Sequence, residues 1–265
     1  MTSLWRCTGC GTIERTGLTD DDLERHRGEV GYTDLSRSDI LFQRRKEWFL
    51  DFRDRLELRL PEDRRRLLDI GCSYGHMIRL FANAGWTVQG LEPDGKCVDY
   101  ARESGLNVVL GTFPETSLDA RQDVVTFIDS FYYLLVRPVD ALTATLKLLE
   151  SDGVLFMRLT NRTHLVRAYA AYARMTGKPL VVPDPIIGDA LVSYSPRGIR
   201  HLLTAAGFTD VEIQGETGKG KSEVPGIRKA LYSALHAIDL LTLGRVVLSP
   251  GFLVWAKNHD WPQKD

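Results

Sequence analysis

Between residues 66 and 160 the chain alternates between two kinds of apolar pattern. Short continuous runs come at Leu67-Leu68-Asp69-Ile70, Trp86–Leu91, Val108–Leu110, Val124–Ile128 and Val154–Leu159. Each is too short for a helix, and the first four end at a glycine or an acidic residue, which predicts buried strands. Between them, Met77–Ala84, Lys96–Glu103 and Pro138–Leu149 repeat at helical spacing. Gly85 and Gly105 follow two of these helices, and a proline opens the third. Strands apolar on both sides, alternating with helices, predict an α/β fold: a doubly wound, mostly parallel sheet.

The flanks read differently. Leu41, Trp48, Phe49, Phe52, Leu56 and Leu60 form an apolar stripe over residues 36–60, and Pro61 ends it. Arg44, Arg45, Lys46, Arg53 and Arg55 lie between these positions and predict a solvated face. Residues 1–35 are polar, rich in turn residues, and include the acidic run Asp20-Asp21-Asp22. Beyond the strand pattern come a helix at His164–Met175, a loop at 177–193, a helix at Pro196–Ala206 and a strand at Val211–Gln214. A polar loop, an amphipathic stretch at 227–243 and a final strand at Phe252–Ala256 complete the chain. The organisation expected is an N-terminal segment 1–35, a helix 36–62 and one domain 63–265. Loop 177–193 is placed as a substrate loop, because long loops in compact domains are often binding loops.

Charge narrows the function. The 265 residues carry 34 Lys+Arg against 35 Asp+Glu, without the basic excess of a nucleic-acid binder. No run reaches the ~18 apolar residues of a membrane span, and the first residues lack a signal peptide's apolar core. The expectation is a cytoplasmic protein with no membrane and no nucleic-acid partner. The cysteines Cys7, Cys10, Cys72 and Cys97 are too few and too scattered for a disulfide framework.

The informative segment is Asp69-Ile70-Gly71-Cys72-Ser73-Tyr74-Gly75. Two glycines between a strand and a helix let backbone approach a ligand at the sheet's carboxyl edge. Glu92, 23 residues after Asp69, closes the next strand, where an acidic side chain can accept both hydroxyls of a ribose. Ser73 stands where the dinucleotide fingerprint has its second glycine, which favours a nucleoside ligand without a pyrophosphate.

The pair Asp69–Gly75 and Glu92-Pro93-Asp94 resembles the first two motifs of class I S-adenosylmethionine-dependent methyltransferases, most clearly over residues 64–160. That resemblance implies a Rossmann-like seven-stranded sheet with an antiparallel last strand, and S-adenosyl-L-methionine as cofactor. Asp69, Gly71, Cys72, Ser73 and Gly75 would hold its methionine part. Glu92 would hold the ribose, and Pro93, Thr112 and Phe113 would lie by the adenine. Asp129 and Ser130 would face the methyl group and the acceptor. The family analogy favours O-methylation of a small molecule, a sugar or a natural-product scaffold. Where many relatives have a histidine after the fourth strand, this chain has Tyr133, so Tyr133, His76 and His164 are the candidate proton-handling residues. Cys7-Thr8-Gly9-Cys10-Gly11 resembles half of a zinc ribbon that precedes the fold in some members. A closed zinc site needs four ligands, and no metal is assigned. A homodimer is left open.

Three other readings remain, one of them a nicotinamide-dependent oxidoreductase, against which the missing second glycine argues. Gly71-Cys72-Ser73-Tyr74-Gly75 also fits the G-x-S-x-G elbow of α/β-hydrolases. Against it, Asp69 would place a negative charge where an oxyanion must form. A non-catalytic cofactor-binding protein would share the same motifs.

Overall fold

The computed structural model describes residues 3–17, 34–118, 121–134, 137–178, 182, 186, 190–216, 226–242 and 247–257. The acidic run at 20–22 and most of loop 177–193 lie outside the described residues.

The main sheet has seven strands: β3 (Arg66–Ile70), β4 (Thr87–Glu92), β5 (Val108–Leu110), β6 (Gln122–Ile128), β7 (Leu149–Thr160), β9 (Asp210–Glu216) and β10 (Gly251–Lys257). Their order is β5-β4-β3-β6-β7-β10-β9. Pairings from β5 through β7 are parallel, and β10 runs antiparallel to both of its neighbours, β7 and β9. This is the seven-stranded arrangement with an antiparallel last strand that the sequence resemblance implies. The chain winds outward from β3 to β5, then returns to β6 and winds the other way, so β3 and β6 flank the switch point. Ligands bind there in open α/β sheets, beyond the carboxyl ends of the strands.

Alternation along the strands divides the core. Leu67, Val124, Phe156 and Trp255 face one side, with α1 (Leu35–Glu57), α2 (His76–Asn83) and α3 (Gly95–Glu103). Leu68, Val125, Leu155 and Val254 face the other, with α4 (Pro138–Leu148) and α6 (Pro196–Ala206). Both faces are therefore covered, which explains strands with no polar side. Trp48, Phe52 and Leu56 of α1 are buried, and Phe52 stacks on Phe156 with centroids 4.1 Å apart. Burying a side chain of this size contributes roughly 1.5–3 kcal/mol. The helix is thus part of the core.

Three expectations are corrected here. The arginines of α1 do not all form a solvated face. Arg55 donates to Gln214 at 2.8 Å, tying the helix to β9, and Arg59, just beyond the helix, donates to Glu212 at 3.0 Å. The apolar runs understate two strands. β6 begins at Gln122 and β7 at Leu149, because buried Asp123, held by Arg66, continues the ladder where apolarity stops. Finally, the N-terminal segment contains strands. β1 (Ser3–Arg6) and β2 (Ile13–Thr16) form a hairpin, and β2 pairs with β8 (Val192–Ser193) in a separate three-stranded sheet. A four-residue hairpin is marginal alone. Its partner strand lies far along the chain and leaves no local signal.

The remaining helices are α5 (Thr163–Thr176), after β7, and α7 (Gly226–Leu241), before β10. Among the described residues, no helix is long and apolar enough to cross a membrane.

Candidate functional site

The turn after β3 is built by backbone. Gly71 and Cys72 donate to the carbonyl of Leu91 on β4, and Gly75 donates to that of Cys72. Gly71 and Gly75 have positive φ, as does Ser73 at 50°. For a residue with a side chain that conformation costs roughly 1–2 kcal/mol. Gly71 is also forced by space, since a Cβ there would lie 2.5 Å from the Ser130 Cβ. Ser130 donates its hydroxyl to the Ile70 carbonyl, so the ends of β3 and β6 are latched. Asp129, beside it, also has positive φ (57°). Two of the three non-glycine residues with positive φ among the described residues therefore flank the switch point, where strain tends to collect in functional sites.

Two carboxyls lie on the β3–β4 side. Glu92 is 8% exposed. It accepts from the Ser73 N–H at 2.8 Å and the Asp94 N–H at 3.1 Å, one on each oxygen. A carboxylate has about four lone-pair sites, so each oxygen keeps one. Asp69 is buried one residue inside the end of β3 and accepts from the Thr126 hydroxyl at 2.6 Å. Burial, offset in part by Thr126 and reinforced by Glu92, pushes its carboxyl up to about 7. Burial also raises Glu92. Among the described residues no arginine or lysine pairs with either. Nearby, Cys72 packs its sulfur against Gly90. Pro93 and Thr112 are exposed, whereas Phe113 is buried edge-on to Phe127 at 5.8 Å.

The β6–β7 side is organised differently. Asp129 is bound by Arg45 of α1 at 2.8 Å and by Arg158 of β7. The Nε of Arg158 lies 2.8 Å from Glu216, the last residue of β9. Burial alone would raise the Asp129 carboxyl, but the two guanidiniums outweigh it and hold the group below its usual range. The four charges cancel.

The proton-handling candidates do not converge. Tyr133 sits in a single 3-10 turn (Phe131–Tyr133), three residues after Ser130. His76 opens α2, stacked on Phe42 of α1 at 5.2 Å, with Nε2 3.1 Å from Asp39. Burial lowers its pKa despite Asp39. His164 lies on α5. Burial lowers it too, and Asp239 of α7 is its nearest opposing charge. That carboxylate already caps the backbone N–H groups of Leu248 and Ser249.

The family model described as a methyltransferase domain matches residues 41–213. The chain belongs to the class I S-adenosylmethionine-dependent methyltransferases. The methyltransferase shares its fold with a solved S-adenosylmethionine-dependent enzyme of Thermotoga maritima at TM-score 0.55 and 16% identity, covering 86% of this chain and 98% of that one. The plantazolicin methyltransferase BpumL, solved with S-adenosylhomocysteine, gives TM-score 0.55 and 16% identity over 90% and 97%. BamL, solved with a desmethylplantazolicin analogue and S-adenosylhomocysteine, gives TM-score 0.56 and 14% identity over 90% and 97%. No curated protein sequence matches. The hydrolase reading falls with the family assignment. The Glu92 carboxylate also occupies the N–H of Ser73, which leaves a negative charge where an oxyanion would have to form.

Sequence reasoning missed Arg45, Arg158, Glu216 and Thr126. One signal was available: Arg158 interrupts the apolar run Val154–Leu159, and a charge inside a buried strand requires a partner.

Proposed function

We propose that this methyltransferase methylates an oxygen of a small, hydroxylated molecule, a sugar or a natural-product scaffold, held beyond the carboxyl ends of β6 and β7. The observation that carries the reading is the cancelled charge there. Arg45 and Arg158 are matched by Asp129 and Glu216, so among the described residues this group offers an uncharged hydroxyl polar neighbours and offers a polyanion no unmatched cation.

The residues present fit S-adenosylmethionine. Glu92 keeps one lone pair per oxygen for two ribose hydroxyls. Asp69 and Glu92 are buried carboxyls without cations, and a ligand carrying positive charge compensates them. Exposed Pro93 and Thr112 would border the adenine, and Gly71–Gly75 would hold the methionine part. When bound, the cofactor supplies an electrophilic methyl group on its sulfonium.

The rest is positioning. Asp129, held low by two arginines, is a poor base. His76 lies against Asp39 of α1, burial lowers the basicity of His164 on α5, and an ordinary tyrosine near pKa ~10 is a weak base. The chain would therefore work by orienting the acceptor and excluding water, which can contribute several kcal/mol.

The test is methyl transfer from radiolabelled S-adenosylmethionine to a panel of sugars and phenolic glycosides, with tRNA and a denatured protein mixture in parallel. Label should appear in the small-molecule fraction as a base-stable methyl ether. Label in tRNA or protein, or in an N-methyl product, would overturn the reading.

A further inference from the structure

A cavity of about 790 Å³ lies between the N-terminal sheet and α6, within the ~300–1,000 Å³ typical of small-molecule sites. It stands at the carboxyl edge of the main sheet, since α6 begins directly after β8 and runs back towards β9. The two walls are pinned together. The Ser195 hydroxyl, which caps α6 by accepting from the Gly198 N–H at 2.9 Å, donates to the Cys10 carbonyl at 2.6 Å. The Ser195 N–H in turn donates to the Thr12 hydroxyl at 3.2 Å.

The register of the small sheet decides what faces the cavity. Trp5 pairs with Glu14, and Glu14 with Val192. These three form one cross-strand row on one face, and all three line the cavity. Ile13, adjacent to Glu14, points the opposite way and is buried with Val166. The row thus sets a tryptophan with 56% of its surface exposed beside a carboxylate. Among the described residues no cation pairs with Glu14. Arg15 also borders the cavity, and its Nε donates to the Ala190 carbonyl at 3.2 Å.

The remaining walls point the same way. Tyr194 is buried, and burial together with the nearby Glu14 charge holds its hydroxyl above the usual range. Its ring packs 5.3 Å from Phe131, the residue after Ser130. Tyr194 thus links the cavity wall to the residue that follows Ser130. The Cys7 thiol, facing N–H groups of Cys10, Gly9 and Gly11 and the Cys10 side chain, is held below its usual range. Among the described residues no group of three or more His, Cys, Asp or Glu could hold a metal ion. An exposed carboxylate and an exposed tryptophan ring in one row, over walls that include Leu134, Leu191 and Leu202, together favour a cation with an apolar body.

We infer that this cavity binds an organic ammonium, and that it receives the amine-bearing part of the acceptor. The inference rests on the small-molecule acceptor proposed above and narrows it to amine-bearing sugars or scaffolds.

The test uses benzyltrimethylammonium and its uncharged counterpart benzyl alcohol, titrated by ligand-observed NMR against the wild-type chain, Glu14→Gln and Trp5→Leu. S-Adenosylhomocysteine calorimetry is run on all three. The ammonium should bind the wild type at least tenfold tighter than the alcohol, and each variant should lose most of that difference while keeping its S-adenosylhomocysteine affinity. Equal binding of the two probes, or an unchanged Glu14→Gln, would overturn the inference alone. Failure of the wild type to bind S-adenosylhomocysteine would remove the cofactor reading and the inference with it.

Discussion

Two pairs of buried carboxyls flank the switch point, and the fold treats them in opposite ways. Asp69 and Glu92, on β3 and β4, receive hydrogen bonds from a hydroxyl and two backbone amides but no cation. Asp129 and Glu216, at the ends of β6 and β9, are knitted together by Arg158, with Arg45 added from α1. The first pair is raised and the second contains a lowered member. A buried charge left without a partner costs several kcal/mol, so the uncompensated pair marks where a ligand has to supply what the protein withholds. The compensated pair marks a frame that is finished before any ligand arrives.

The comparison breaks most sharply at Arg158. Replacing it with methionine leaves buried Glu216 without a cation and Asp129 with Arg45 alone, and urea unfolding should show a loss of roughly 3–5 kcal/mol. On the other side, Glu92→Gln keeps the shape but removes the anion. It should weaken S-adenosylhomocysteine at least tenfold by calorimetry, about 1.4 kcal/mol, with little change in unfolding. An unfolded Glu92→Gln would show that Glu92 serves the frame.

Protons offer a gentler probe. Asp69 has a folded pKa raised to about 7, so the folded state binds more protons than the unfolded one between about pH 4 and 7, and stability falls as pH rises through that window. Asp129, depressed in the fold, stabilises above its unfolded value near 3.9 and loses that contribution as pH falls through its folded pKa. A positively charged ligand favours ionised Asp69. S-Adenosylmethionine affinity should therefore climb from pH 6 to pH 8 and level off above it, and Asp69→Asn should flatten the profile. The smallest effect belongs to Arg45→Ala. Its guanidinium is about a third exposed and Asp129 keeps Arg158, so unfolding should cost about 1 kcal/mol or less.

The same contrast explains what could be read from sequence. Asp69, Gly71, Gly75 and Glu92 were legible because local backbone demands place them: a turn that needs glycine and a strand end that needs a carboxylate. Arg45, Arg158 and Glu216 come from three distant elements and meet only in space, so no spacing announces them. The parallel core was legible because its strands are apolar on both faces. The hairpin at Ser3–Thr16 was not, because its four-residue strands are completed by Val192 and Ser193. Tyr133 rested on its family position after the fourth strand and the histidines on residue type and place in the chain, and the structure spreads the three over the 3-10 turn, α2 and α5.

That last pairing sets an order of events during synthesis. β2 leaves the ribosome well before β8, and Ile13 finds its partner only when Ser193 has followed, which at ~5–20 residues per second is on the order of ten seconds or more later. Until then Trp5 and Ile13 have no wall to rest against. A strand translated before β3–β7 is thus completed only after them, and the cavity it roofs cannot close before β8 has followed.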